Sequence, residues 1–387
     1  MNKKELELYI HIPFCVRKCS YCDFLSAPAT EQTREAYMAA LFAEIGGRAK
    51  DYSDRTVTSI FIGGGTPSLL SGEQIGQLMD RIREQFAMAQ DAEITMEVNP
   101  GTASAEKLRN FYTAGINRLS IGMQSAQAEE LKNLGRIHDF EGFCQVYREA
   151  VEAGFTNINV DIMSGLPGQT LASYRDTLEK VLHLEPMPQH ISAYSLIVEE
   201  GTPFAAMAER GELPLPEEET ERAMYEETIE VLAKYGFHRY EISNYARDGY
   251  ECRHNVGYWI RRDYLGFGIG AASLIDNVRF QNEKSLGAYL AHPLESREEE
   301  QTLTVQDRME ETMFLGLRLT RGVSCVDFAE QYGRTVEEVY GEVIARNVAD
   351  GLLTVTEGKE NQKKDRFLAL TKRGLDLSNY VMAQFLF

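Results

Sequence analysis

The sequence predicts an α/β protein in which strand-helix units repeat around a parallel sheet. Three observations carry that reading. Six short β-rich apolar segments recur over the first half of the chain, and stretches of helical period lie between them. Several segments, SIFIGG and NINVDIM among them, are apolar almost without a break, as strands covered on both faces are. Six units suffice to close most of a barrel or to lay out an open doubly wound sheet, and periodicity leaves both open.

The strand segments are, in order, 6–12, 57–62, 92–98, 118–123, 157–163 and 190–196, and helical spacing fills 33–49, 73–86, 105–114, 140–153 and 171–184. Polar residues and tight turns gather just past the strands, on the edge where parallel α/β folds bind ligands. An acidic stretch over 214–235 reads as an exposed helix whose charges form a solvated face. Residues 236–282 read as a loop-rich region with many glycines and aromatics. Beyond about residue 295 come helices near 305–317, 324–332 and 336–349, two strands (LLTVT and FLALT) and a last helix. That order is similar to a small α+β winged-helix domain. Its last 87 residues hold 13 acids and 11 bases, which favours a structural role over DNA binding. The chain thus divides into 1–235 (core), 236–295 (connecting region) and 296–387 (C-terminal domain).

In 387 residues, 59 acids outnumber 40 bases for a formal charge of -19, a field that repels polyanions and disfavours nucleic acid as a partner. No apolar run approaches the roughly 18 residues that span a bilayer, and the N-terminus lacks a signal peptide's unbroken apolar stretch. A cytoplasmic protein is expected, with transient membrane association left open.

Three of the six cysteines crowd into Cys15-Val-Arg-Lys-Cys19-Ser-Tyr-Cys22, in a loop directly after the first strand. That asymmetry points to metal ligation rather than disulfides. Zinc completed by His11 or a remote cysteine is one reading. A 4Fe-4S cluster fits the spacing better, since zinc patterns spread their ligands as two separated pairs, whereas three thiolates hold three irons and leave the fourth open. Cys144 and Cys325 fall on predicted helices and read as small buried hydrophobes.

This C-x3-C-x2-C loop resembles that of the radical S-adenosylmethionine (SAM) superfamily. The wider string LYIHIPFCVRKCSYCDF, with GGGTPS, EVNP, GMQS and DIMSGLPGQT, is similar to the branch that holds the oxygen-independent coproporphyrinogen oxidases (HemN) and the haem chaperones (HemW). The resemblance implies a partial (βα)6 TIM-like barrel with the cluster at its open face and SAM docked on the fourth iron. It further implies, as SAM-site residues, Tyr9, Tyr21, Gly64, Gly65, Thr66, Glu97, Gln124, Arg136, Asp161 and Ser195. Chemically, Glu97 and Asp161 accept from ribose hydroxyls or an ammonium, and Arg136 clamps a carboxylate.

Two features separate the arms of that branch. The HemN pattern carries a further cysteine two positions past the loop, where this chain has Phe24. Second, Cys252-Arg-His254-Asn255-Val-Gly-Tyr258-Trp259 resembles the HNxxYW motif of the chaperones and contains the chain's only tryptophan. His254 offers an imidazole to haem iron, Cys252 is the other ligand candidate, and Tyr258 and Trp259 offer aromatic cover. Without the resemblance, a histidine hydrogen-bonded over an aromatic cluster is the plainer reading. The resemblance implies a haem chaperone whose cofactors are the 4Fe-4S cluster, SAM and haem, and whose partners are haem and haem-acceptor proteins. A radical enzyme acting on a tetrapyrrole, either a coproporphyrinogen oxidase or a haem-modifying methyltransferase, is the alternative. A zinc-stabilised binding module is the third reading.

Overall fold

A computed structural model describes residues 4–295, 297–360 and 363–386. The six expected strands are present as β1 (Lys4–Ile12), β2 (Arg55–Gly64), β3 (Ala87–Val98), β4 (Arg118–Gln124), β5 (Ile158–Ser164) and β6 (His190–Ser195). Each pairs in parallel with the next. Alternation along β1 shows why. Leu6, Leu8, Ile10 and Ile12 are fully buried in the layer under the helices, while Tyr9 and His11 point to the opposite, concave face and line a cavity there.

The covering helices run over Glu31–Arg48, Gly72–Gln85, Ala105–Thr113, Phe140–Ala153 and Leu171–Leu182, within three residues of the expected spans. Each starts where a short polar side chain can accept the third amide of the first turn: Thr30, Ser71, Ser104, Asp139 and Thr170. Their apolar stripes, such as Tyr37, Leu41 and Ile45, close on the outer face of the sheet. The acidic segment forms a helix over Glu218–Lys234.

The region expected to be loops is instead ordered into short elements that extend the sheet. β7 (His238–Arg239) and β8 (Asn244–Ala246) follow β6 antiparallel, and β9 (Tyr264–Phe267) runs parallel to β1 on the other side. β10 (Ala272–Ile275), β11 (Val278–Asn282) and β12 (Arg297–Thr302) continue outward from β9. Strands of two to five residues are too short to show a period, so the sequence pattern hid them. The sheet is twelve-stranded and open, ordered β12-β11-β10-β9-β1-β2-β3-β4-β5-β6-β8-β7. It curls enough for one cavity to touch the carboxyl ends of β2 through β6 and the loop after β1.

The C-terminal part has its own core. Helices Val305–Gly316, Cys325–Tyr332 and Val336–Ala349 pack with β13 (Val323–Ser324), β14 (Leu353–Glu360) and β15 (Lys363–Leu370) around Met313, Leu317, Phe328, Leu368, Val381 and Phe385. The single last helix expected is two, Lys372–Asp376 and Ser378–Ala383, divided at Leu377, whose backbone is not helical. Among the described residues no helix is long and apolar enough to cross a membrane.

Candidate cofactor site

The carboxyl ends of the strands enclose a cavity of about 530 Å³ that is lined by Cys15, Cys19, Cys22, Tyr21, Gly64, Gly65, Thr66, Glu97, Gln124, Arg136, Asp161 and Ser195. All three cluster cysteines and nine of the ten expected SAM-site residues therefore meet in one place. Tyr9 does not line it. The cysteine loop is pinned at both ends: Cys15 N–H donates to the Ala27 carbonyl (3.2 Å), and Ser20 N–H donates to that of Leu134 (3.0 Å).

The glycine turn must lie where it does. Gly64 has φ +110°, and a Cβ there would stand 2.5 Å from the His11 ring; one on Gly65 would stand 2.5 Å from the Phe14 carbonyl oxygen. The turn thus presses its backbone against the end of β1, and the Gly64 N–H donates to Glu97 Oε2 at 3.1 Å. Burial, and then the nearby Asp161, push the Glu97 carboxyl up to about 8. Asp161 is raised by burial as well, although Asn159 Nδ2 (2.7 Å) and Ser120 Oγ donate to it. Gln124 is held at φ 64°, and its Oε1 is buried without a partner. Arg136 donates from Nη2 to the Gly122 carbonyl (2.9 Å) and from Nη1 to the Cys19 sulfur (3.8 Å), leaving Nε buried and unpaired. Ser195 and Ser164 share a hydroxyl hydrogen bond of 3.1 Å. Burial pushes the Tyr21 phenol up to about 12, so it stays a neutral wall.

These residues fit an iron-sulfur cluster better than zinc. His11, the nearby candidate for a fourth zinc ligand, donates from Nε2 to the Leu25 carbonyl (2.9 Å), and its Nδ1 meets the Tyr9 hydroxyl (3.0 Å). Both ring nitrogens are committed. Among the described residues no three His, Cys, Asp or Glu side chains close around one ion. The three thiols that line this cavity would hold three irons of a cubane cluster and leave the fourth open to another ligand.

A second cavity, about 650 Å³, adjoins the first and shares Phe24, Gly64 and Glu97 with it. Its wall is largely aromatic: Tyr9, Tyr258, Trp259, Tyr264 and Phe314, the last from the C-terminal part. The segment resembling HNxxYW forms a short helix, Arg253–Trp259, set against the concave face of the sheet. Its fit is tight, since a Cβ on Gly257 would stand 1.9 Å from Glu7 Oε1. Asn255 lines the first cavity, and Tyr258 and Trp259 line the second. The Arg318 guanidinium covers the Trp259 ring at 4.3 Å.

His254 lines neither cavity. Its Nδ1 lies 2.9 Å from Ser59 Oγ, its Nε2 lies 3.1 Å from the Tyr258 hydroxyl, and its ring stacks on Phe61. Burial, with Arg118 and Arg262 nearby, pushes its pKa down to about 3, so the imidazole is neutral. Cys252 is buried as well, donating to Glu93 Oε1 (3.5 Å), its thiol pushed up to about 12 by burial. As placed here, both ligand candidates are satisfied inside the protein, and the plainer reading of the histidine describes its surroundings.

Sequence reasoning missed Arg118, Ser120, Asn159 and Ser192, which line the first cavity below the strand ends. Period-two alternation was the available signal, because Arg118 and Ser120 share the face of Gly122 and Gln124 on β4.

Comparison with known proteins agrees with this geometry. Residues 9–181 match the radical SAM superfamily, and 303–377 match the HemN C-terminal domain. The haem chaperone HemW of Bacillus subtilis is 38% identical over 98% of this chain and 98% of its own length. HemW of Escherichia coli is 37% identical over 90% and 92%. The solved structure of coproporphyrinogen III oxidase HemN from Escherichia coli, described as a radical SAM enzyme, superposes with a TM-score of 0.84 at 28% identity, covering 99% of this chain and 90% of that one. The thiol loop, the glycine turn and this likeness along nearly the whole chain lead to one conclusion: the chain belongs to the HemW family within the radical SAM superfamily.

Proposed function

We propose that this protein is a haem chaperone that holds a 4Fe-4S cluster on Cys15, Cys19 and Cys22, binds SAM across the strand ends, and carries haem to acceptor proteins. The observation that carries the reading is the pair of adjoining cavities, one lined by thiols and polar groups and the other by aromatic rings. Relatives named as haem chaperones over almost their full length support it.

In this reading each side chain has a defined task. Arg136 takes the carboxylate of SAM, beside the Cys19 thiol it already faces. Glu97 and Asp161 accept from its ammonium or ribose hydroxyls, Gln124 Oε1 supplies an unused acceptor, and Gly64, Gly65 and Thr66 let the ligand approach the backbone. Tyr21 and Ser195 wall the cavity, and Tyr9 meets the ligand only from the adjoining side. When bound, the cluster supplies one-electron chemistry that the polypeptide lacks. Tyr258 and Trp259 cover the porphyrin face. His254 remains the iron-ligand candidate, and it reaches a ligand only by giving up Ser59 and Tyr258.

The second reading, a radical enzyme acting on coproporphyrinogen, is favoured by the superposition on HemN. Phe24, 60% exposed at the cavity mouth, weighs against it, since the HemN pattern places a further cysteine there. Anaerobically reconstituted protein, given haem and coproporphyrinogen separately with SAM, decides between them. Stable stoichiometric haem binding without porphyrinogen turnover is expected; conversion of coproporphyrinogen with consumption of SAM overturns the chaperone reading.

A further inference from the structure

Among the described residues Arg118 is the bulkiest fully buried side chain, 2% exposed, and it lines the first cavity. Its Nε has no hydrogen-bond partner, and among the described residues nothing forms a hydrogen bond or ion pair with its guanidinium. A guanidinium keeps its charge and its five N–H donors, and buried donors that find no acceptor are costly to a fold. Glu93 and Asp161 lie close enough to favour its charge, yet neither forms a hydrogen bond with it. Glu93 accepts from Cys252 and from the His254 N–H, and Asp161 accepts from Asn159 and Ser120. Another buried acceptor in the cavity wall, Asn244 Oδ1, also lacks a partner.

The Cα of Arg118 lies well below the strand ends, although its charge still acts on Asp161. Arg118 opens β4 opposite Thr95 of β3, whereas Ser120 stands opposite Glu97, and Gln124 closes the strand. Six residues of strand put the Cα atoms of Arg118 and Gln124 roughly 20 Å apart at about 3.3 Å per residue. Arg136 stands at the strand-end level, against the Gly122 carbonyl and Cys19. Three arginines line the cavity: Arg17, which donates to the Gly135 carbonyl, Arg136 at the strand-end level, and Arg118 on a deeper stretch of β4. SAM carries one carboxylate, and Arg136 accounts for it. The deeper guanidinium, whose donors no described protein group takes up, is available to an anion from a different molecule.

We propose that Arg118 anchors a propionate carboxylate of the tetrapyrrole at the floor of the cavity. This rests on the haem reading above and deepens it: the ligand is recognised through an acidic side chain as well as through aromatic cover. A planar carboxylate matches the guanidinium fork, and a buried charge-assisted pair of that kind is worth about tenfold to a hundredfold in affinity.

The test titrates anaerobically reconstituted full-length protein with haem, with haem dimethyl ester, which lacks both carboxylates, and with SAM. Wild type is expected to bind haem about tenfold to a hundredfold more tightly than the ester. Arg118→Met should lose that preference, Arg118→Lys should restore part of it, and SAM affinity should not move in either. Should Arg118→Met fail to fold, the acid-against-ester comparison on wild type decides alone. Equal affinity of wild type for haem and ester overturns the anchor and leaves the haem reading standing. Weakened SAM binding with unchanged haem binding in Arg118→Met reassigns the arginine to SAM. A wild type that binds neither porphyrin overturns the haem reading, and the anchor falls with it.

Discussion

Arg136 faces the thiol loop: its Nη1 stands 3.8 Å from the sulfur of Cys19. A fixed positive charge thereby sits beside the second of the three expected cluster ligands. Arg136→Ala is expected to weaken SAM binding by about tenfold or more, the value of a charge-assisted pair, while iron content stays near wild type because the three thiols remain. Equilibrium binding of SAM to reconstituted protein, read beside iron analysis, checks this. Unchanged affinity removes Arg136 from the SAM site.

Replacing Cys15, Cys19 or Cys22 by alanine is expected to abolish the visible absorbance of the anaerobically reconstituted cluster. Cys252→Ala and Cys144→Ala should keep it, since neither sulfur lines the cavity. Iron and sulfide analysis decides the matter; a full cluster in any of the first three variants, or stoichiometric zinc in strictly anaerobic wild type, contradicts the assignment.

Trp259 and His254 should affect haem differently. Trp259 lines the aromatic cavity, so Trp259→Ala should shorten haem retention with little spectral change. His254→Ala should alter the haem absorption spectrum if the ring is released to the iron. Ser59→Ala then supplies the sharper measurement: it removes one of the two bonds that hold the ring inward, worth about 1 kcal/mol, so haem affinity should rise. An unaltered spectrum in His254→Ala together with unchanged affinity in Ser59→Ala assigns His254 to holding Tyr258 in place and nothing more.

Glu7 makes stability fall as pH rises from mildly acidic to neutral. It is fully buried; Arg262 donates to its Oε1 at 3.1 Å, and its Oε2 accepts no hydrogen bond and lies 3.9 Å from His254 Nδ1. Burial, only partly offset by Arg262, raises its pKa from 4.5 to about 8. A folded-state pKa above the unfolded one means that the native protein holds the proton more tightly. The stabilisation is complete below about pH 4.5 and is lost as pH rises to about 8, at about 1.4 kcal/mol per pH unit for one such group. Denaturant midpoints measured from pH 5 to 8 should therefore fall more steeply for wild type than for Glu7→Gln. Parallel slopes would exclude Glu7 as a source of the dependence.

The parts of the site that follow local chain chemistry were legible in the sequence. Cys15, Cys19 and Cys22 lie in one loop, and Gly64 and Gly65 in one turn, so spacing alone brings each group together. Strand-end residues such as Glu97 and Asp161 could be placed because a parallel sheet aligns its carboxyl ends, although their roles came from the family resemblance. Arg118 was missed because depth in a curled sheet depends on register between strands, which one strand's pattern does not encode. His254 is a ligand candidate through the motif alone, which names the residue and not the direction of its ring. That direction is set by Ser59, 195 positions away in sequence. The short strands β7 to β11 hid for a related reason: two to five residues pair only because β1 and β6 offer them edges.

Those added strands have a consequence for how the molecule meets other copies of itself. An open parallel sheet would leave β1 and β6 as bare templates for further strand pairing, the contact through which sheet proteins aggregate. Here the growth is carried outward and stopped. On one side the last strand, β12, reads Arg-Glu-Glu-Glu-Gln-Thr and is exposed throughout, so a second copy approaching edge to edge would bring three carboxylates against three. On the other side the last strand, β7, is two residues long and offers almost no ladder to extend. A fold that leaves its barrel unclosed, and so open to large ligands, thus protects its margins by like-charge repulsion at one and by brevity at the other.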